Sequence, residues 1–196
     1  MNIKKHKSLI ILFLIFLFSV VFRLFFTLKT QYFDMYSYDS FRQIISITET
    51  GFPLIVDSLS FGGRVLISSP VYYYIIAGFS FVFGKVFALK VLPAIFISLT
   101  TFLVYLLAKR LTDNENVSLL AAFFSAFFPA LFIETFNSLS PINLVIPVIL
   151  GCSYLFINLR KSDNPYGYVF LLFLLALLSP LSTIFVLGII IFLIIL

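Results

Sequence analysis

Long apolar runs separated by short polar stretches make up most of the chain. The first run, Ser8–Thr27, follows a basic cluster at Lys4–Lys7 and contains 20 residues. A helix of that length is about 30 Å long, which matches the hydrocarbon core of a bilayer. The run is too long for the core of a signal peptide, and no small-residue cleavage site follows it. We therefore predict a retained first transmembrane helix.

Five later runs predict further spans, so the expected fold class is an all-α polytopic membrane protein with about six transmembrane helices. These runs are Leu89–Leu107, Val117–Ile133, Ile142–Leu159, Tyr166–Ser179 and Leu181–Leu196. The proline of "SPLS" predicts a turn or kink between the last two. The final run ends without a polar flank. We therefore expect residues 1–196 to be the transmembrane N-terminal module of a longer protein.

The polar stretch at residues 29–88 is predicted to be a large first outer loop that contains juxtamembrane helices. In "DSFRQIISITET", Phe41, Ile44 and Thr48 recur at helical spacing, and Gly51 follows as a stop signal. The segment "FGGRVLISSP" has the Gly, Ser and Pro content of a loop. The apolar run Pro70–Gly84 is too short to cross, so we predict an interfacial or re-entrant segment.

Charge placement supports this topology. If Pro70–Gly84 does not cross, the basic pairs Lys109–Arg110 and Arg160–Lys161 lie on the same side as Lys4–Lys7. Basic loops are enriched on the cytoplasmic side of membrane proteins. We therefore predict a multi-pass protein of the cell membrane with a cytoplasmic N-terminus and an extracellular first loop, which leaves Lys85 and Lys90 outside.

Composition agrees with a lipid environment. The chain is 62% hydrophobic and 11% charged, with a mean hydropathy of +1.16. A soluble domain carries about a quarter charged residues. The net charge of +5 comes from residues that flank apolar runs, so it indicates membrane topology and not nucleic-acid binding. Cys152 is the single cysteine and can form no internal disulfide.

Candidate chemistry is concentrated in the two predicted outer loops. The first carries Asp34, Asp39 and Asp57, and the second carries Glu134 and Asn137. Carboxylates that meet beside the membrane can act as a general base or hold a divalent cation through oxygen ligands. Arg42 and Arg64 have the chemistry to bind a phosphate.

Each of these residues also has a simpler interpretation. Asp39 and Arg42 stand three apart and can pair on a solvated helix surface. Asp34 and Asp57 are ordinary loop residues in that interpretation, and Glu134 is an exposed acid at a helix end. Arg23, a turn from the end of the first span, is either an anchor that reaches the interface or a contact for lipid phosphate.

Standard catalytic and nucleotide motifs are missing from the chain, including the Walker loop, HExxH, CxxC and the dinucleotide fingerprint. Transporters usually carry charged residues in the middle of their spans, whereas these spans are nearly free of charge after Arg23. A transporter or flippase therefore stays as the alternative function, together with an inactive membrane fragment.

The order of segments resembles a known class of membrane enzymes. "YDSFRQI", "TGFPLIVDSLSFGGR", "SPVYYYIIAGFSFVFG", "YLLAKRL" and "SLLAAFFSAFFPALF" follow one another as in the N-terminal module of GT-C glycosyltransferases, which use lipid-linked sugars. Within that class the chain is most similar to archaeal oligosaccharyltransferase catalytic subunits and related uncharacterised membrane glycosyltransferases.

The resemblance implies an integral-membrane glycosyltransferase with a polyprenyl- or dolichyl-phosphate-linked donor, a protein, lipid or glycan acceptor, and membrane lipid as its surroundings. Asp39 matches the essential acid of the first outer loop, and Arg64 and Arg42 would contact the donor phosphate. Glu134, Asp34 and Asn137 are the candidates for a second acid or a metal site. An oligosaccharyltransferase-like enzyme would use Mg²⁺ or Mn²⁺ there.

Overall fold

The computed structural model describes residues 3–35, 37–57, 59, 63–66, 69–159 and 165–195, with side chains described between residues 6 and 192. Helices dominate, which confirms the all-α fold class. They are α1 Ile3–Lys29, α2 Ser37–Thr50, α3 Val71–Phe83, α4 Leu92–Ser98, α5 Thr100–Thr112, α6 Glu115–Ala126, α7 Pro129–Thr135, α8 Ile142–Leu159, α9 Tyr166–Leu178 and α10 Pro180–Ile195.

Within the described residues, three helical stretches are long and apolar enough to cross a membrane: His6–Lys29, Phe87–Thr112 and Ile142–Leu159. The pair α6 and α7 makes a fourth if its 42° bend is counted as one broken span. The fifth and sixth predicted spans correspond to α9 and α10, which are apolar but shorter. Pro180 begins α10 directly after α9, at the predicted turn.

The second span is irregular near its start. Residues Phe87–Val91 form a π-helical segment that leads into α4, and the Leu92 N–H bonds to the Phe87 carbonyl. Pro93 explains the wide turn, because proline donates no hydrogen bond and its ring clashes with the carbonyl four residues earlier. π turns are rare and occur often at functional sites.

The third span bends for a related reason. Asn114 caps α6 by accepting hydrogen bonds from the N–H groups of Asn116 and Val117. The helix stops at Ala126, and α7 starts at Pro129, whose fixed φ and missing N–H suit the first helical turn. The bend therefore lies between Ala126 and Pro129, inside the predicted run Val117–Ile133.

Polar contacts define two ends of this helix bundle. At the first, which we call the basic end, the Ser8 hydroxyl donates to Glu115 (2.9 Å) and Lys109 pairs with Glu115 (3.1 Å). At the second, the loop end, Lys90 Nζ donates to the carbonyl of Thr27 (3.0 Å) at the end of α1. The chain between Thr27 and Lys90 therefore leaves and returns at one end. Arg160 and Lys161 lie outside the described residues.

Helices α2 and α3 pack together over the main core at the loop end. Ile44 of α2 and Tyr72 and Ile76 of α3 belong to one buried apolar cluster, which also includes Leu139 and Cys152. The described side chains of α1, α9 and α10 include many exposed apolar residues, as expected of surfaces that face lipid.

A short hairpin lies between α2 and α3, where the sequence predicted only a loop. Strands β1 (Val56–Asp57) and β2 (Arg64–Val65) pair antiparallel, with Asp57 opposite Arg64. Gln43 connects the hairpin to α2, because its side-chain amide exchanges two 2.8 Å hydrogen bonds with the backbone of Leu54. These bonds fix the path of the chain after Gly51, which has a left-handed φ of 80°.

Candidate active site at the loop end

Two segments that are about 100 residues apart in the chain meet at the loop end. The Leu139 N–H donates to Ser37 Oγ (2.8 Å), and the Asp34 N–H donates to the Asn137 carbonyl (3.4 Å). Asn137 Nδ2 in turn donates to the Tyr32 carbonyl (2.6 Å). These bonds join the segment before α2 to the connection between α7 and α8, as the grouping of the two predicted outer loops requires.

Asp39 lies in the first turn of α2 and is exposed. The helix begins at Ser37, which is buried and held by Leu139. The contact between the two segments therefore also fixes where α2 starts and where Asp39 is presented. A carboxylate is favoured in this position by the partial positive charge at a helix N-terminus.

Asp34 and Asn137 have different surroundings. Asp34 is exposed, and its backbone makes the contact with Asn137. Asn137 adopts a left-handed φ of 50°, a conformation that asparagine tolerates better than most residues. Its Oδ1 is buried and has no hydrogen-bond partner within the described structure. Asn137 therefore positions the connection, and it leaves one buried acceptor open.

The two arginines that were predicted to bind phosphate lie in or beside the hairpin. Arg42 Nη1 forms an ion pair with Asp57 Oδ1 at 2.6 Å, and Asp57 is buried. Arg42 thus pairs with Asp57 and not with Asp39, although Asp39 lies only three residues away on the same helix. Arg64 is exposed on β2, opposite Asp57.

Glu134 lies at the end of α7, at one end of an open apolar groove. The groove has a volume of about 560 Å³ and is formed by α5, α6, α7 and α8. Along α8 it extends from Ile142 to Leu150, which is about 12 Å at the rise of an α-helix. Thr100 and Ser125 add hydroxyl groups to a lining that is otherwise apolar apart from Glu134.

The side chain of Arg23 is buried in the bundle, whereas the anchor interpretation predicted that it would extend to the membrane interface. Its side chain is only 3% exposed, and Nη1 donates to Thr135 Oγ1 at 2.8 Å. The hydroxyl of Thr135 donates in turn to the Leu131 carbonyl. Arg23 therefore joins α1 to α7, one residue after Glu134. The anchor interpretation was wrong because the sequence does not show that α7 covers this face of α1.

Lys90 is a polar residue of this region that was not among the predicted site residues. It lies on the π-helical segment and lines a small cavity together with Arg23 and Asn137. The signal in the sequence was a lysine three residues before a proline inside an apolar run, which is an unusual place for a charge.

The described residues do not form a recognisable metal centre. They contain no group of three or more His, Cys, Asp or Glu side chains that is suited to a metal ion. Glu134 and Asp34 are exposed, and Asn137 adds a single open acceptor, its Oδ1. We therefore derive no step through Mg²⁺ or Mn²⁺.

Taken together, the apolar spans, the loop-end contact of two polar segments and the groove that ends at Glu134 define a multi-pass membrane protein with a candidate site at one end of its bundle. A family model described as dolichyl-phosphate-mannose-protein mannosyltransferase matches residues 68–196, about two thirds of the chain. The chain belongs to this family of membrane glycosyltransferases, which agrees with the GT-C resemblance. The particular similarity to oligosaccharyltransferases is not supported by this match.

The match divides the candidate residues into two groups. Glu134, Asn137 and Lys90 lie inside the matched range, whereas Asp39, Arg42 and the other candidates before residue 68 lie outside it. The match assigns no role to any single residue, so the roles of all these candidates stay predictions. Searches of curated proteins and of solved structures found no match.

Proposed function

We propose that this protein transfers a sugar from a polyprenyl- or dolichyl-phosphate-linked donor to an acceptor at the loop end, on the outer face of the membrane. The observation that carries the proposal is the position of Glu134. It stands where an open apolar groove meets the contact between residues 34–37 and 137–139. A lipid-linked sugar needs this combination, because its tail is apolar and its reacting sugar phosphate is polar.

The groove is suited to the apolar isoprenoid tail of such a donor. Its lining is almost entirely apolar and is formed by helices of the membrane-spanning part. An isoprenoid chain that lies there would keep the sugar phosphate near the last turn of α7. Binding energy from the tail would then hold the anomeric carbon close to the catalytic groups, which is the usual function of remote binding contacts.

Asp39 is the proposed general base. It is exposed, and no ion-pair partner is found for it within the described residues. In the reaction, the carboxylate takes the proton of the acceptor hydroxyl as the acceptor oxygen bonds to the anomeric carbon. The bond from that carbon to the phosphate oxygen breaks, and the lipid phosphate leaves. Glu134 is the second candidate for the same proton transfer.

The phosphate of the donor needs a cation. Arg64 is exposed and accessible, whereas one nitrogen of Arg42 is engaged by Asp57. We therefore assign the donor contact to Arg64 first and to Arg42 second. The description of the family favours a protein acceptor over a lipid or a glycan.

The test compares Asp39→Asn with Asp34→Asn at matched expression. Both changes remove one exposed carboxylate at the loop end, so Asp34 is the control for charge. Transfer of sugar from a lipid-linked donor should fall about 100-fold or more for Asp39→Asn, the scale on which acid–base groups act. It should stay near wild type for Asp34→Asn. Thermal unfolding should change little in either variant, because both residues are exposed.

Normal transfer by Asp39→Asn would contradict the assignment of the base. Loss of transfer in Asp34→Asn alone would move the role to Asp34. If the wild-type protein moves labelled lipid across vesicles without sugar transfer, the transporter alternative replaces the enzyme. Acceptor peptides, glycans and lipids assayed side by side identify the acceptor class.

A further inference from the structure

A second, smaller cavity at the loop end is lined by two cationic side chains. It lies between α1, the π-helical segment and the connection after α7, and its lining includes Arg23, Lys90, Thr135, Asn137 and Ser138. It is distinct from the apolar groove, because Glu134 lines the groove while the next residue, Thr135, lines this cavity. The two sites therefore lie on different faces of α7.

Arg23 has an unused donor in this cavity. Its Nη1 bonds to Thr135, and its guanidinium lies over the Phe132 ring at 4.8 Å. Its Nε is buried and has no hydrogen-bond partner in the described structure. A buried, charged donor without a partner is costly, so such groups usually have a ligand, an ion or water.

Lys90 lines the same cavity from the π-helical segment. Its ammonium group donates to the carbonyls of Thr27 and Thr30 and lies 5.5 Å from the centre of the Phe33 ring. An ammonium group has three donors, and these contacts use two. The π-helical turn places Lys90 here, because the turn shifts the residues before Pro93 out of α-helical register.

Neither cation has a carboxylate partner among the described residues. The ion pairs resolved among the described residues join Arg42 to Asp57 and Lys109 to Glu115. A buried cation beside lipid is strongly disfavoured unless a counter-charge meets it. Arg23 is buried and Lys90 is half-buried. Two cations around one cavity indicate that the missing partner is an anion, since a water molecule would satisfy the hydrogen bonds but leave both charges uncompensated.

We propose that this cavity is an anion site that takes an oxygen of a phosphate group. Its free volume, about 10 Å³ for the centre of a water-sized sphere, holds one atom of that size, which fits a phosphate oxygen with the phosphorus at the cavity mouth. Arginine and lysine are the usual side chains for phosphate. The phosphate comes either from a lipid headgroup at this end of α1 or from solution, and the site does not depend on sugar transfer.

Phosphate binding to the purified protein in a maltoside detergent, which contains no phosphate, tests the proposal. We would titrate inorganic phosphate and, in parallel, phosphatidate in mixed micelles, and follow the thermal unfolding temperature. Lys90→Gln should weaken binding about 10-fold or more, the usual effect of losing one charge-assisted hydrogen bond. Lys85→Gln is the matched control, because Lys85 is an exposed lysine one turn earlier in the chain.

Arg23→Lys provides a second variant that keeps the charge but removes the Nε donor, and it should also weaken binding. Stabilisation by both phosphate sources assigns the site to the phosphate group, and stabilisation by phosphatidate alone assigns it to a lipid headgroup. Equal weakening by Lys85→Gln and Lys90→Gln would overturn the proposal. So would equal stabilisation by chloride, or stabilisation by neither phosphate source.

Discussion

The two ends of the bundle differ in how their charged side chains are paired. At the basic end, Lys109 and Glu115 pair with each other, and Ser8 adds a hydrogen bond to the same carboxylate. At the loop end, Arg23 and Lys90 have no carboxylate within ion-pair distance in the described structure, and Asp39 and Glu134 are exposed. At the basic end Glu115 is thus paired with a cation, whereas these four loop-end charges form no ion pair among the described residues.

The difference indicates where the protein meets other molecules. Opposite charges that pair with each other satisfy a local structure and need no ligand. Charges kept separate beside a membrane are costly, and such residues usually mark a functional site. The pair Arg42–Asp57 shows that the loop end can also pair charges, since this ion pair fixes the hairpin to α2. The absence of ion pairs at Arg23, Lys90, Asp39 and Glu134 in the described structure is therefore specific to those positions and does not extend to the whole loop end.

The prediction with the largest expected effect is that the two ends of the bundle face opposite sides of the membrane. Single cysteines at Met35 and Asn114, in a Cys152→Ser background, should be labelled from opposite sides by an impermeant reagent. Met35 is exposed at the loop end and Asn114 is exposed at the basic end. The expected result is labelling of Met35→Cys in intact cells and of Asn114→Cys only after the membrane is opened.

Labelling of both cysteines from one side would show that the two ends do not face different compartments. Labelling of Asn114→Cys alone in intact cells would keep the two ends apart but reverse the orientation. The outer-face part of the proposed function would then be wrong. Cys152→Ser without an added cysteine is the control for background labelling.

The second test breaks the contact that builds the loop end. Ser37→Ala removes the acceptor of the Leu139 N–H, and both residues are buried. A buried donor left without a partner costs about 1–3 kcal/mol, so the free energy of unfolding should fall by that amount. Transfer should also fall, because the start of α2 and the position of Asp39 depend on this bond.

Ser46→Ala is the control for this second test. Ser46 lies on the same helix and also bonds to backbone, at Phe52, but that bond is exposed. Its loss should have a smaller effect on unfolding and none on transfer. An equal loss in both variants would show that the contact with Leu139 has no special importance for the loop end.

The smallest effect is expected at the basic end. Glu115→Gln removes the ion pair with Lys109, whose two side chains are each 36% exposed. Exposed pairs contribute about 0–1 kcal/mol, so unfolding should shift slightly and sugar transfer should stay at the wild-type level. A large loss of transfer in this variant would show that the two ends are coupled, which the comparison does not predict.

Apolar length predicted most of the helices correctly. The run Ile142–Leu159 is predicted and observed with the same limits, and α2 ends at Thr50, directly before its predicted stop signal Gly51. Such features are local, since they depend on the spacing of apolar residues and on glycine and proline. The π-helical turn and the bend before Pro129 were not predicted, although a proline follows each of them.

For the candidate site, too, some contacts were predicted from the sequence and others were not. The charge pattern predicted that the segments of Asp34 and Asn137 lie on one side of the membrane. In the structure a backbone hydrogen bond and a bond from the Asn137 side chain join them. The sequence did not indicate that Arg42 would form an ion pair with Asp57 and not with Asp39. That partner is 15 residues away, and the hairpin fixed by Gln43 carries it to α2.

The sequence by itself determined that this is a helical membrane protein with its acids in the polar connections, because hydropathy and length limit what a chain can do in lipid. Only the tertiary structure decided which charges meet. Arg23 bonds to Thr135 across 112 positions of the chain, and Lys90 faces the same cavity from a third segment. Such encounters depend on which helix faces pack together, and spacing along one helix contains no information about the neighbour.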